Sequence, residues 1–170
     1  MKFKIIEREL LNPLAEIDTQ KIESNPIPKD INTLALIDNT KPNSGLILDN
    51  ISKKIDYNKL IKIKKPAGAP ATKEQINNAS PIDLSILALG DCGSCTTWLV
   101  LDAIKLEKQG TPTISICTDV FAPYAHQLAS SYGATQLKIV EIKHPIAGQS
   151  REIIENRSEK VIVQIKKLIN

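Results

Sequence analysis

The stretch Leu84-Ser85-Ile86-Leu87-Ala88-Leu89-Gly90-Asp91-Cys92-Gly93-Ser94-Cys95 decides the fold of this chain. It opens with an apolar run, Leu84 to Leu89, that is typical of a buried β-strand. The segment from Thr96 to Lys108 has the apolar spacing of an amphipathic helix, and Gly110 marks its end. A buried strand followed at once by a helix is one step of a parallel α/β sheet. The two cysteines stand at the junction.

Short β-like runs alternate with helical patterns on either side of this stretch. Strands are predicted at residues 33–37, 60–63, 113–117 and 137–142, with helices between them. Continuous apolar strands of this kind are covered on both faces, so we predict an α/β fold with three layers. The expected architecture is a doubly wound, mostly parallel sheet of the flavodoxin-like or Rossmann-like type, with strand order 2-1-3-4-5.

The two ends of the chain are predicted to differ in structure. Residues 1–30 contain Pro13, Pro26 and Pro28, which favour an extended arm that wraps the domain or a partner subunit. From Arg151 onward, apolar residues recur at helical spacing and predict a C-terminal helix. We therefore predict a single α/β domain over residues 31–170, preceded by the arm.

The composition is that of an ordinary globular protein: of 170 residues, 42% are hydrophobic and 24% are charged. No apolar stretch approaches the roughly 20 residues that span a bilayer, and the first residues lack an apolar signal core. We therefore expect a cytoplasmic protein without a membrane partner. The net charge is only +3 and aromatic residues make up 4%, so nucleic-acid binding is not expected.

The three cysteines are Cys92, Cys95 and Cys117. An odd number argues against a disulfide framework, and a close pair in a reducing cytosol is typical of catalytic, redox or metal chemistry. The first turn of a helix has unpaired N–H groups and a dipole that favours negative charge, so we expect a thiol there to have a lowered pKa. Cys117 lies within a predicted strand and is expected to be structural.

Polar loops are predicted to converge at one edge of the sheet. In an open parallel sheet, ligands bind beyond the carboxyl ends of the strands where the strand order reverses, here between the first and third strands. His144 follows the fifth strand at this edge and is the candidate acid–base catalyst. Asp91, beside the cysteines, is predicted to be either catalytic or a helix cap. The residues predicted to bind substrate here are Asp38, Asn39, Lys41, Asn43, Gly90, Gly93, Ser94, Thr96 and Thr97.

Several separated segments of the chain resemble the UGSC-type (seleno)protein family. They are Gly90 to Trp98, Asp102-Ala103 with Leu106-Glu107, Gly110 to Thr113, the 38–43 loop, Thr118 to Phe121 and His144-Pro145. That family is named for a selenocysteine-Gly-Ser-Cys motif whose first position is cysteine in many members. The strand, redox pair and helix are more distantly similar to the selenoprotein B subunits of glycine, sarcosine and betaine reductases, which use a selenolate to displace a substituent from a small substrate carbon.

The resemblance implies a division of roles within the cysteine pair. Cys92 stands at the selenocysteine position and would be the attacking thiolate, while Cys95 would be the resolving thiol that closes a disulfide. It also adds Phe121 to the substrate-binding residues. We therefore expect a thiol-dependent enzyme, reductive or nucleophilic, that acts on a small organic substrate. An external thiol or a reductant protein would reset the pair, and no cofactor is expected.

Three other functions remain open at this point. Cys92 could form a covalent adduct that water or a second substrate releases, which would make the protein a redox-neutral transferase or lyase. The chain could instead be a metal- or ligand-binding module, or a subunit of a larger reductase or of a homo-oligomer. A zinc set of Cys92, Cys95, His126 and His144 is disfavoured because the histidines lack close spacing, so no metal is predicted.

Overall fold

The computed structural model describes residues 21–169, in which five strands alternate with five helices. The elements are β1 Thr33–Asp38, α1 Ser44–Ser52, β2 Lys59–Lys64, α2 Lys73–Asn78, β3 Leu84–Gly90, α3 Gly93–Lys108, β4 Thr113–Thr118, α4 Ala122–Ser131, β5 Lys138–Ile142 and α5 Arg151–Ile169. The predicted strands, the helices between them and the C-terminal helix are therefore confirmed. One boundary differs, because α3 begins at Gly93 and not at Thr96, which places Cys92 at the N-cap.

The strands form one sheet in the order β2-β1-β3-β4-β5, as predicted. Every neighbouring pair is parallel, so the sheet is wholly parallel and not just mostly so. Helices α1 and α5 pack on one face, and α2, α3 and α4 pack on the other. The result is the three-layer, doubly wound fold, with its change of direction between β1 and β3.

Strand β3 lies at the centre of the sheet and is buried along its whole length. Successive side chains point to opposite faces, so Ile86 joins the core beneath α1 and α5, and Leu87 joins the core beneath the other helices. Both faces exclude water, which is why β3 reads as a continuous apolar run without polar alternation.

The part of the predicted arm that the structure describes, residues 21–30, packs against the domain near the amino ends of the strands. The carboxylate of Glu107 is 4% exposed and accepts hydrogen bonds from the Asn25 N–H at 2.7 Å and from the Thr113 N–H and hydroxyl at 2.8 Å each. Lys138 Nζ donates to the Asn25 carbonyl at 2.7 Å. This segment is thus attached to its own domain; residues 1–20 lie outside the described part.

None of the helices within residues 21–169 is long and apolar enough to cross a membrane. The longest of them, α5, buries one side against the sheet through residues such as Ile154, Val161 and Ile165. Its opposite side carries charged residues, which is the pattern of a helix that covers a sheet.

A buried ion pair fixes the loop after β2 on α3. Lys65 and Asp102 lie 2.7 Å apart with side-chain exposures of 2% and 0%. Lys65 Nζ also donates to the Ala69 carbonyl, and the carboxylate of Asp102 also accepts from the Ala71 N–H. Each charge therefore has further polar partners, which a buried pair needs to offset its desolvation.

We predict that Asp102→Ala lowers the free energy of unfolding by about 3–5 kcal/mol, because it leaves Lys65 buried without its counter-charge. The matched control is Asp49→Ala, which removes the carboxylate from the exposed Lys62–Asp49 pair, also 2.7 Å long. That change should cost about 1 kcal/mol or less. Urea unfolding of the three proteins measures both values, and equal losses would contradict the role given to Asp102.

Candidate functional site

Cys92 is the N-cap of α3. Its backbone is extended (φ −153°, ψ 169°), and its Sγ accepts a hydrogen bond from the Cys95 N–H at 3.3 Å. The carbonyl of Cys92 accepts from the Thr96 N–H at 3.0 Å and from the Thr96 hydroxyl at 2.7 Å. A sulfur atom therefore occupies the place where a serine or aspartate oxygen usually satisfies the first N–H groups of a helix.

Cys92 and Cys95 are joined by a disulfide, with their Cα atoms 5.3 Å apart. Cys92 is half-buried and Cys95 is only 3% exposed, while Gly93 and Ser94 between them are exposed. The Ser94 hydroxyl lies 3.8 Å from Cys92 Sγ. The two cysteines thus form one redox unit in which Cys92 is the more accessible sulfur.

Asp91 and Lys41 pair beside the cysteines. Lys41 Nζ lies 3.2 Å from Asp91 Oδ1, and the two side chains are 25% and 5% exposed. The pair connects the loop after β1 to the loop after β3, across the point where the strand order reverses. Both residues were predicted for the site, and the structure brings them together next to Cys92.

Asn39 holds the end of β3 in place. Its side-chain amide donates to the Leu89 carbonyl at 2.8 Å, and its carbonyl oxygen accepts from the Leu89 N–H at 2.9 Å. The register between β3 and β4 shifts between Ala88 and Gly90, so Leu89 has no partner in that ladder. Asn39 is 2% exposed and supplies the missing partner. We therefore assign Asn39 to positioning the cysteine turn.

The loop after β1 has a constrained backbone. Thr40 and Asn43 have φ values of 58° and 65°, in the left-handed region that a branched residue such as threonine rarely adopts. The Asn43 side chain donates to the carbonyls of Ile146 and Gln149 at 3.1 and 3.3 Å. The loops after β1 and β5 therefore meet over the sheet edge, as the predicted convergence requires.

Asp38 faces a different part of the same edge. One of its oxygens accepts from the Thr40 N–H at 2.8 Å, and its side chain lines a cavity of about 210 Å³ together with Asp49, Lys62 and Lys64. A larger cavity of about 780 Å³ lies at the other end of the sheet, between β5 and α5. Neither cavity is lined by Cys92 or Cys95, so the thiol pair sits on an open rim.

Gly90 is required by the packing of the protein itself. A Cβ at this position would lie 2.7 Å from Cys117 Sγ and 2.9 Å from Thr96 Oγ1, closer than real Cβ contacts allow. The close approach predicted for a ligand at Gly90 is thus made by these two side chains. Gly93 has open space around it, where a substrate has room to approach.

Thr97 and Tyr124 form a contact that the sequence did not indicate. The Thr97 hydroxyl lies 2.8 Å from the Tyr124 hydroxyl and donates to the Gly93 carbonyl at 2.9 Å. Tyr124 is 39% exposed and lies in the first turn of α4, directly after β4. The only signal in the sequence is its position at the start of a helix that follows a strand of the active edge.

His144 is half-buried at the end of β5. Its Nδ1 lies 3.4 Å from Thr118 Oγ1, and its ring packs at a tilt against Phe121, with the ring centroids 6.1 Å apart. Its N–H donates to Asp119 at 2.9 Å, and Lys143 pairs with the same carboxylate at 2.8 Å. The hydrogen bonds from Lys143 and from the His144 backbone lower the pKa of Asp119 below its ordinary value.

Two predicted site residues are thereby placed on the β4–β5 side of the edge, namely His144 and Phe121. The structure gives His144 no hydrogen bond to either cysteine among residues 21–169. Strands β3 and β4 are neighbours, with Gly90 opposite Cys117, one residue before Thr118. His144 therefore borders the open rim in front of the thiol pair without contacting the disulfide.

An all-parallel, doubly wound α/β domain that carries a CxxC pair at the N-cap after its central strand defines a class of candidate thiol proteins. The model of the UGSC family matches residues 9–170 of the chain, and the chain belongs to this family. No curated protein matches it.

Cys117 differs from the other two thiols. It is fully buried, and burial together with the negative charge of Glu141 raises its pKa to about 12. Since the thiolate is the reactive form, Cys117 has almost none of it at neutral pH.

After reduction with a phosphine, we predict that iodoacetamide at neutral pH alkylates Cys92 fastest and leaves Cys117 unmodified until the protein is denatured. The rate at Cys92 should rise with pH around a midpoint below the ordinary thiol value of about 8.5, because the N–H groups at the start of α3 stabilise the thiolate. Peptide mass spectrometry against pH measures both. A midpoint at or above the ordinary value would contradict the cap's effect on Cys92.

Proposed function

We propose that this protein is a thiol-dependent reductase of a small organic substrate, with Cys92 as nucleophile and Cys95 as resolving thiol. The observation that carries the proposal is the Cys92 sulfur at the N-cap of α3, bonded to Cys95 and more exposed than it. The N-cap N–H groups stabilise a thiolate, and the neighbouring thiol lies within reach of its sulfur.

The proposed reaction consumes one dithiol for each substrate reduced. The Cys92 thiolate attacks the electrophilic centre of the substrate, forms a bond from sulfur to that centre, and expels the leaving group with its electron pair. The Cys95 sulfur then attacks Cys92 Sγ, which forms the disulfide and releases the substrate fragment with that bond's electron pair and a proton. The substrate gains two electrons, the thiol pair loses two, and an external thiol or a reductant protein restores the dithiol.

The surrounding residues suit the supporting roles in this proposal. His144 at the rim would deliver the proton, since a histidine exchanges protons near neutral pH. Lys41, in the loop after β1, supplies a positive charge for an anionic group of the substrate. The hydroxyls of Thr97 and Tyr124 and the ring of Phe121 bound the space in front of Cys92 on the α3 and α4 side.

The family's selenocysteine-Gly-Ser-Cys motif supports the assignment of Cys92 as the attacking residue. The distant similarity to selenoprotein B subunits supports displacement at a small carbon centre and places the protein, on this proposal, in the cytoplasm with a partner reductant. Sulfur is a weaker nucleophile and leaving group than selenium, so the substrate on this proposal is one already activated towards attack.

The two cysteines have separable tests. Cys92→Ser should lower turnover by roughly three orders of magnitude, the loss typical of a missing nucleophile. Cys95→Ser should stop after one turnover and leave a substrate adduct on Cys92, which mass spectrometry of protein incubated with a metabolite extract would detect and identify. Cys117→Ala, which removes the third thiol, is the matched control. Repeated turnover by Cys95→Ser would instead establish the redox-neutral transferase or lyase chemistry.

The two histidines of the chain provide a further paired test. His144→Gln should lower turnover on the substrate so identified by roughly 100-fold or more, as the loss of a general acid does. His126→Gln is the control, because His126 is exposed on α4. The pH profile of turnover should lose one limb in His144→Gln only; similar profiles for the two variants would remove His144 from the mechanism.

A further inference from the structure

We propose that the reduced protein also binds a divalent, thiol-seeking metal ion such as Zn²⁺ through Cys92, Cys95 and Asp91. One ligand atom from each of these residues lies within 4.8 Å of the others. The set differs from the cysteine–histidine set weighed on sequence grounds, since His126 is exposed on α4, away from this group. The inference concerns binding alone and stands whether or not the protein is a reductase.

Asp91 supplies the observation that points to a ligand. Its side chain is 95% buried by the exposure given above, yet its Oδ1 has no hydrogen bond among the described residues and only the ion contact to Lys41 at 3.2 Å. Buried carboxylate oxygens almost always have hydrogen-bond partners. An oxygen left without one beside two sulfurs is placed to bind a cation.

The charges of the site match such an ion. Two thiolates and one carboxylate carry three negative charges, of which the metal ion offsets two and Lys41 offsets the third. Metal binding replaces the thiol protons and releases them to solvent, while the disulfide has no thiolate to offer. Three protein ligands leave a fourth tetrahedral position for water or a substrate group, which is the pattern of an open zinc site.

The consequence is a thiol pair with three alternative states: dithiol, disulfide and metal-bound. The bound ion would hold both sulfurs as thiolates yet keep them from attacking a substrate or from joining to each other. Metal and oxidant therefore compete for the same pair.

The test measures Zn²⁺ binding by competition with a chromophoric chelator, in protein reduced with a phosphine. We expect one Zn²⁺ per chain in the reduced protein and none in the oxidised protein, in Cys92→Ser or in Cys95→Ser. Asp91→Asn should bind roughly tenfold or more weakly. Cys117→Ala and Glu74→Gln, which remove a thiol and an exposed carboxylate elsewhere, should bind like the wild type.

Three results would overturn the proposal: no binding by the reduced protein, equal binding by the oxidised protein, or undiminished binding by Asp91→Asn. Should Asp91→Asn fail to fold, zinc X-ray absorption of the loaded wild type decides instead. Two sulfur neighbours at about 2.3 Å with lighter atoms at about 2.0–2.2 Å are expected, and any other number of sulfurs contradicts the set. Because no substrate is present, failure here leaves the proposed reductase chemistry untouched, and the reverse holds as well.

Discussion

The hydrogen bonds between the Asn39 side chain and the backbone of Leu89 are the interaction on which the site depends. Strand β3 leaves its ladder with β4 at this residue, and a buried N–H and C=O without partners would cost about 1–3 kcal/mol each. Asn39 satisfies both groups from the end of β1. The same contact fixes where β3 stops, and hence where α3 begins and where the Cys92 sulfur lies.

The electrostatics of the site follow from that placement. The start of α3 presents N–H groups to Cys92, and its dipole favours negative charge there. Asp91 places a carboxylate beside the same sulfur, which works against a thiolate, but Lys41 approaches that carboxylate from the loop after β1. The neighbouring charge is therefore offset within the protein, and the helix start dominates the field at Cys92. The loop that carries Lys41 is held by Asn43, which binds the loop after β5.

The sequence predicted the fold well because its signals are local and repeated. Apolar runs such as Leu84 to Leu89, separated by helical spacing, are sufficient for an α/β sheet and for its active edge. The start of α3 was placed at Thr96, three residues late, because cysteine is not a usual cap residue and the apolar periodicity begins only after it. The roles of Asn39 and Gly90 could not be predicted, since they depend on a register shift and on packing against Cys117, a residue distant in sequence. Tyr124 was missed for the same reason.

The open position of the disulfide bears on how the pair is reset. The two cavities described lie towards β2 and towards α5, and neither encloses Cys92, whereas Gly93 and Ser94 are exposed on the rim. Reduction of a disulfide requires an incoming thiolate in line with its two sulfurs, and access limits that reaction. A deep pocket would admit only small thiols, while a half-buried sulfur on a rim admits the cysteine of another protein as well. The geometry that exposes Cys92 to a substrate therefore also exposes it to the protein reductant that the proposed cycle needs, and both must approach over the loops of Lys41 and His144.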